Sequence, residues 1–216
     1  MSYLFVFVAL AISGLLIGLV RISQKRHKCE LQAQIRKEVY YHSLDFHTLF
    51  NFLNTLASLI MTDKPLSAYD LLIAFNKIFK QRISFEPPLT WSFRRELDFI
   101  KSYQEAAKLI GSEIPDLVLN NESHIQDFEI PVLSVYSVYR IITNGMEILP
   151  DEGVSLTIHL KKGKYHLTFT YAASTGVKEV HHRSEELLML YNKYYGRDFQ
   201  FLLRSESGEA SIQWKS

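Results

Sequence analysis

The stretch Phe46-His47-Thr48-Leu49-Phe50-Asn51-Phe52-Leu53-Asn54-Thr55-Leu56-Ala57-Ser58-Leu59-Ile60-Met61 decides the architecture. Phe46, Phe50, Leu53, Ala57 and Ile60 recur at three- and four-residue steps, which gathers them on one stripe of a helix. Neither Pro nor Gly occurs between Cys29 and Met61, so one long helix is expected over that range. Thr62-Asp63-Lys64-Pro65 breaks it. A second helix is expected from Ser67, whose spacing to Asp70 suits a capping box, with Leu71, Leu72, Phe75, Ile78 and Phe79 along one face. Two helices joined by so short a turn form an antiparallel hairpin. A hairpin this narrow cannot cover its own apolar face, so a second copy is expected to close a four-helix bundle, which makes the protein a homodimer.

Toward the N-terminus, Tyr3 to Val20 carries no charge. At about 1.5 Å per residue it is long enough to cross roughly 30 Å of hydrocarbon. Arg21, Lys25, Arg26 and Lys28 follow it and nothing basic precedes it. The excess of positive charge on that side places the N-terminus outside and the remainder in the cytosol, with no room outside for a sensor domain. Residues 1–22 are therefore expected to be a single-pass transmembrane anchor in contact with the lipid bilayer. A cleaved signal peptide would need a positive start and a shorter apolar run.

Toward the C-terminus, Phe85-Glu86-Pro87-Pro88 is a connector, which divides a helical unit at 23–86 from a second unit at 87–216. Phe93, Leu97 and Ile100 mark an amphipathic helix from about Ser92 to Leu109. Leu117 to Leu119 reads as a strand, Val132 to Leu149 as a buried helix opened by Pro131, and Val154 to Leu160 as an alternating strand. Lys161-Lys162-Gly163-Lys164 is a hairpin turn leading into a strand from Tyr165 to Tyr171. Glu185 to Tyr195 is a helix ended by Gly196, and Phe199 to Arg204 is expected to pair with Ala210 to Trp214. The expected fold class is α+β: an N-terminal transmembrane helix, a helical hairpin, then helices layered on one mixed sheet as an α/β sandwich.

Composition narrows the chemistry. A net charge of +1 over 216 residues argues against nucleic acid, whose phosphates call for an excess of Lys and Arg on one surface. The lone Cys29 cannot form an internal disulfide. There is no G-x-S-x-G, no Walker glycine loop and no H-E-x-x-H. His181 and His182 are adjacent without carboxylate or Cys partners, and read as solvent-facing loop residues rather than metal ligands. No metal site is expected.

His47, Asn51, Asn54 and Ser58 form a polar stripe beside the apolar seam. A histidine's reference pKa of about 6.5 leaves an exposed imidazole largely neutral in the cytosol, able to use one nitrogen as nucleophile while a neighbour holds the other. The competing reading is an ordinary surface histidine flanked by amides.

Asp45 to Asn54, DFHTLFNFLN, resembles the phosphoacceptor box of the LytS-type sensor histidine kinases, N-P-H-F-L-F-N-x-L-N. Leu31-Gln32-Ala33-Gln34-Ile35 is similar to that family's L-x-A-Q-I lead-in, here separated from the box by an insertion. Ser92 to Tyr103, SFRRELDFIKSY, is similar to its L-x-x-E-L-x-x-(I/V)-x-x-Y helix, and Leu188 to Gly196 resembles its R-L-x-x-x-Y-G tail. The resemblance implies that His47 is the phosphorylation site with Asn51 as a supporting neighbour. It also makes the hairpin a dimerisation and phosphotransfer domain, and 87–216 a histidine-kinase-type ATPase-like domain.

The family's nucleotide boxes are poorly kept. On Val138 to Ile148 the paired Glu and Asn are not both in register. In the register of the related NarX-type kinases, Asn144 falls on the Glu position and Ile148 on the metal-binding Asn position. Asn144 and Glu147 are candidate shifted substitutes in a degenerate nucleotide and magnesium site, and the competing reading makes them exposed or capping residues. Where the family has D-x-G-x-G, this chain has Tyr171-Ala172-Ala173-Ser174-Thr175-Gly176, and Val180-His181-His182-Arg183-Ser184 replaces the second glycine box. No cofactor is expected, with ATP and magnesium bound only if the degenerate site still works.

The resemblance thus implies a signalling protein of a two-component system in a bacterial cytoplasmic membrane. It would be a pseudokinase or a histidine phosphotransfer partner, and its partners a response regulator receiver domain or an active histidine kinase. The alternatives are a weakly active kinase that autophosphorylates His47 and a structural adaptor without phosphate chemistry.

Overall fold

A computed structural model describes residues 2–43, 46–82, 88–112, 114–120, 128–145, 153–161, 163–171, 182–204 and 208–215. Within these ranges the side chains of 2–11, 40–43, 46–48, 79, 81–82, 144–145, 160–161 and 182–183 lie outside the description. In chain order the elements are α1 (Ser2–Ser43), α2 (Phe46–Met61), α3 (Pro65–Arg82), β1 (Thr90–Ser92), α4 (Phe93–Leu109), β2 (Leu117–Asn120), β3 (Glu129–Pro131), α5 (Ser134–Gly145), β4 (Val154–Lys161), β5 (Lys164–Thr170), α6 (His182–Tyr195), β6 (Phe199–Arg204) and β7 (Glu209–Trp214).

The helix expected over 29–61 is two elements, and the first begins far upstream, at Ser2. Its second half does not join the hairpin. It packs along α6, where Leu31, Ile35 and Val39 repeat every four residues and are buried. Gln32 Nε2 donates to Tyr194 Oη, and the Lys28 ammonium lies 5.2 Å from the centre of the Tyr194 ring. The residues read as a lead-in to the phosphoacceptor box thus form a docking stripe.

On α1, Ile12, Leu15, Leu16, Ile17, Leu19, Val20 and Ile22 are each more than half exposed. Among the described residues, however, no helix is long and apolar enough to cross a membrane. Side-chain description begins at Ile12, which leaves only the last part of the uncharged run before Arg21, whereas a span needs about 20 residues. The remainder of the expected anchor, residues 1–11, lies outside the described side chains.

Helices α2 and α3 form the expected hairpin. Thr62 closes α2 by donating its N–H and its hydroxyl to Ser58 O, at 2.9 and 2.8 Å. Asp63 sits at φ 56° in the turn. α3 then opens at Pro65, two residues before the expected start at Ser67. Proline suits the first helical position because its φ is preset and it has no N–H to leave unpaired. Phe52 stacks on Phe75 with ring centres 3.6 Å apart, and Ala68, Leu71, Ala74 and Ile78 are buried.

The rest is a two-layer α/β sandwich. The five-stranded sheet runs β2-β4-β5-β7-β6, with β2 parallel to β4 and every other pair antiparallel. Gly163, at φ 72°, makes the β4–β5 turn, and Gly196, at φ 59°, ends α6. Val154, Leu156, Leu167, Phe169, Phe199, Ala210, Ile212 and Trp214 point into the core, while Ser155, Thr157, Thr168, Ser211 and Gln213 alternate on the opposite face. Helices α4, α5 and α6 supply the other layer of the core through Phe99, Ile100, Val138, Ile142, Leu188 and Tyr191. A short antiparallel pair, β1 with β3, was not expected from the sequence. It sets Trp91 opposite Ile130 at the start of α4.

Candidate functional site

His47 is the second residue of α2. Its side chain lies outside the described ones, but its backbone position is one turn before Asn51, about 6 Å along the helix axis on the same face. Asn51 and Asn54, the next members of the expected polar stripe, line a cleft of about 530 Å³ between the hairpin and the sandwich. Ser58, the last member, is exposed at the turn.

Both bodies supply the cleft's walls. α2 contributes Phe52 and Thr55 beside the two asparagines, and α3 contributes Phe75 and Ile78. The sandwich contributes Tyr103, Ala106 and Ala107 from α4, the segment Ile110 to Ser112 with Ile114, and Arg140 from α5. The hairpin reaches the sandwich through packing of α3 on α4, with an exposed ion pair between Lys77 and Glu105 at 3.4 Å. Arg140 is only 7% exposed, donates through Nη1 to Tyr103 Oη, and holds its guanidinium carbon 5.3 Å from the centre of the Tyr103 ring. Arg140 is the one charged side chain among the described residues that line the cleft.

α5 is held from several sides. The fully buried carboxylate of Glu96, on α4, accepts N–H groups of Leu133 and Tyr136, each at 2.9 Å, and the Trp91 indole N–H. Loss of water pushes the Glu96 carboxyl up to about 7, although each of those hydrogen bonds acts in the opposite direction. The Tyr139 hydroxyl donates to Pro115 O at 2.6 Å and accepts from Gln104 Nε2 at 3.1 Å. Burial pushes its pKa up to about 12, so it stays protonated as a donor. Tyr191, fully buried on α6, donates to Val132 O just before α5, and burial raises its pKa well above the usual phenol value. Each of these groups anchors a backbone segment. None of them is placed to attack a substrate.

Asn144 stands in the last turn of α5 with its side chain outside the described ones, and Glu147 lies outside the described residues altogether. The same holds for residues 172–181, which cover the altered glycine boxes and His181, while His182 opens α6. Among the described residues no group of three His, Cys, Asp or Glu side chains could hold a metal ion.

Sequence reasoning assigned no role to Glu96 or Arg140. Glu96 had a legible signal: it falls three residues after Phe93 and four before Ile100, on the apolar face of α4. A carboxylate in that stripe must find donors or remain protonated. Arg140 gave no such signal, because its partner Tyr103 is 37 residues away.

Residues 30–111, from the second half of α1 through α4, match the histidine kinase family model. Two solved structures are similar to the chain. A bacterial phosphotransferase is 11% identical, with 84% of this chain and 94% of that one covered and a TM-score of 0.47. A histidine kinase from Burkholderia phymatum STM815 is 13% identical, with 88% and 96% covered and a TM-score of 0.39. No curated protein matches the chain in sequence.

Proposed function

We propose, from the match of residues 30–111 to the histidine kinase family model, that the protein is a degenerate LytS-type member of two-component signalling in which His47 exchanges a phosphoryl group with a response regulator. The observation that carries this reading is that the matched segment contains α2 whole, with His47 in its first turn on the face that presents Asn51 and Asn54 to the cleft. In the transfer, an imidazole nitrogen of His47 forms an N–P bond as the acyl P–O bond of an aspartyl phosphate breaks. The carboxylate leaves, and the imidazole proton passes to solvent.

Two further features belong to this reading. The exposed apolar side chains of α1 from Ile12 to Val20, continuous in sequence with the uncharged run from Tyr3, support a membrane anchor with the basic residues after Val20 on the cytosolic side. Phe50, Leu53 and Ile60 on α2 and Tyr69, Leu72 and Ile73 on α3 are exposed, which supports a homodimer closed through the hairpin.

The test supplies a phosphorylated receiver domain carrying labelled phosphate to the full chain. Acid-labile label is expected on the wild type and not on His47→Ala. Absence of transfer from every receiver of the host defeats the phosphotransfer reading. A second reading, a pseudokinase that modulates an active kinase by sharing the helical bundle, is favoured by the missing D-x-G-x-G at 171–176. It predicts hetero-oligomers with an active kinase and no binding in a titration with Mg-ATP.

A further inference from the structure

Contacts between α1 and α6 fix which end of the sandwich lies nearest the foot of the apolar run. Residues 21–30 of α1 are exposed, and burial begins at Leu31 and continues through Ile35 to Val39. Lys28 and Gln32 meet Tyr194, the next-to-last residue of α6. α6 therefore runs back along residues 31–39, antiparallel to α1, and its C-terminal end is the one nearest Arg21.

Basic side chains from several elements gather at that end. Lys193 stands in the last turn of α6 and Arg197 just beyond it, and both are exposed. Lys164, which opens β5, donates through Nζ to Arg197 O at 2.8 Å. Exposed Lys215, following β7, donates its main-chain N–H to Asp198 O at 2.9 Å. On α1, Arg21, Lys25 and Lys28 follow at steps of four and three along one face, which reaches the Tyr194 ring at Lys28. Arg26 and Glu30 fall on the opposite face. The basic stripe of α1 and the basic end of the sandwich thus meet in one corner. Two exposed carboxylates border it: Asp198 in the turn, and Glu129, whose carbonyl accepts the Trp214 indole N–H.

The spacing along α1 suits a bilayer surface. Arg21 to Lys28 is about 10 Å of helix, and a headgroup layer is about 5 to 8 Å deep outside the hydrocarbon. With Val20 at the hydrocarbon edge, Lys28 and the end of α6 lie within a screening length of about 8 Å from the headgroups. We propose that the end of the sandwich carrying Lys164, Lys193, Arg197 and Lys215 docks, together with the Arg21-Lys25-Lys28 stripe, on the surface of an anionic lipid bilayer. Juxtamembrane basic residues are attracted to anionic leaflets in this way. The docking rests on the reading of α1 as an anchor, and it ties the position of the sandwich to the charge of the leaflet.

The test places the full chain in nanodiscs of phosphatidylcholine alone and in discs of equal parts phosphatidylcholine and phosphatidylglycerol. Lysine acetylation by an uncharged reagent, kept to single hits, is followed residue by residue by mass spectrometry. Lys193 and Lys215 should react at least about fivefold more slowly in the anionic discs, the factor for one basic residue held at an anionic surface. Lys108, paired with Asp116 at the opposite end of the sheet, should react alike in both. In about 1 M salt, where the screening length falls to about 3 Å, the protection should vanish. Arg197→Glu, at an exposed position, should weaken it with the circular dichroism spectrum unchanged. A chain held in both kinds of disc whose Lys193 and Lys215 react alike overturns the docking alone, as does protection that survives high salt or Arg197→Glu. A chain recovered outside the discs overturns the anchor reading and the docking with it.

Discussion

The carboxylate of Glu96 accepts the main-chain N–H of Leu133 at 2.9 Å across a separation of 37 residues. Leu133 stands at φ 59°, a conformation that disfavours a branched side chain, directly before α5. With its other oxygen on Tyr136 N–H, Glu96 caps α5 from a neighbouring helix, a task usually met by a residue at the cap position itself. A negative charge there also complements the positive end of the helix.

The buried carboxyl makes stability depend on pH. Its pKa rises from 4.5 in the open chain to about 7 in the fold, so between those values the folded chain binds more protons than the unfolded one. Stability therefore falls as pH rises through that window and levels off above it, by roughly 3 kcal/mol for a shift of this size. Urea unfolding followed by tryptophan fluorescence at about pH 5 and about pH 8 should show the decline. Glu96→Gln, which is neutral at every pH, should flatten it.

Tyr191→Phe removes the hydroxyl that donates to Val132 O and leaves that buried carbonyl without this donor. A loss of about 1 to 2 kcal/mol is expected. Because burial keeps the phenol protonated, the loss should be the same across the neutral range, unlike that of Glu96→Gln. Denaturation curves at two pH values distinguish the two variants.

Ile35 is fully buried on the face of α1 that packs along α6. Ile35→Ala should cost about 2 to 5 kcal/mol of docking energy at most, and Ile35→Asp should free the helix from α6. Hydrogen exchange at the backbone of residues 28–39 should accelerate in Ile35→Asp while the sheet strands keep their protection. Unchanged exchange in α1 would show that the helix does not depend on this face.

Leu72→Glu and Phe50→Glu place charge on the exposed apolar side of the hairpin without touching the buried stripe of Phe52, Leu71 and Ile78. If a second copy closes the bundle, each should halve the mass measured by light scattering and leave the circular dichroism spectrum unchanged. A wild type that is already monomeric refutes the dimer.

The mixed sheet and its helices were largely legible in the sequence because their signals are local. Alternation marks Val154–Lys161 and Lys164–Thr170, glycine marks the turn at Gly163, and the apolar repeat marks Phe93–Leu109. The hairpin was legible for the same reason, although Pro65 rather than Ser67 opens its second helix. The sequence also placed Asn51 and Asn54 on one polar face, and the cleft lies on that face.

What only the tertiary structure decided concerns groups whose partners are distant along the chain. Ile35 and Val39 show an apolar stripe in sequence, but nothing local says that α6, some 150 residues later, rather than the hairpin, buries it. Glu96 with Leu133 and Arg140 with Tyr103 are joined only by folding. Periodicity reports which face of an element must be covered. Which element covers it, and which polar groups then meet in the dark between them, depends on long-range packing that no window of sequence contains.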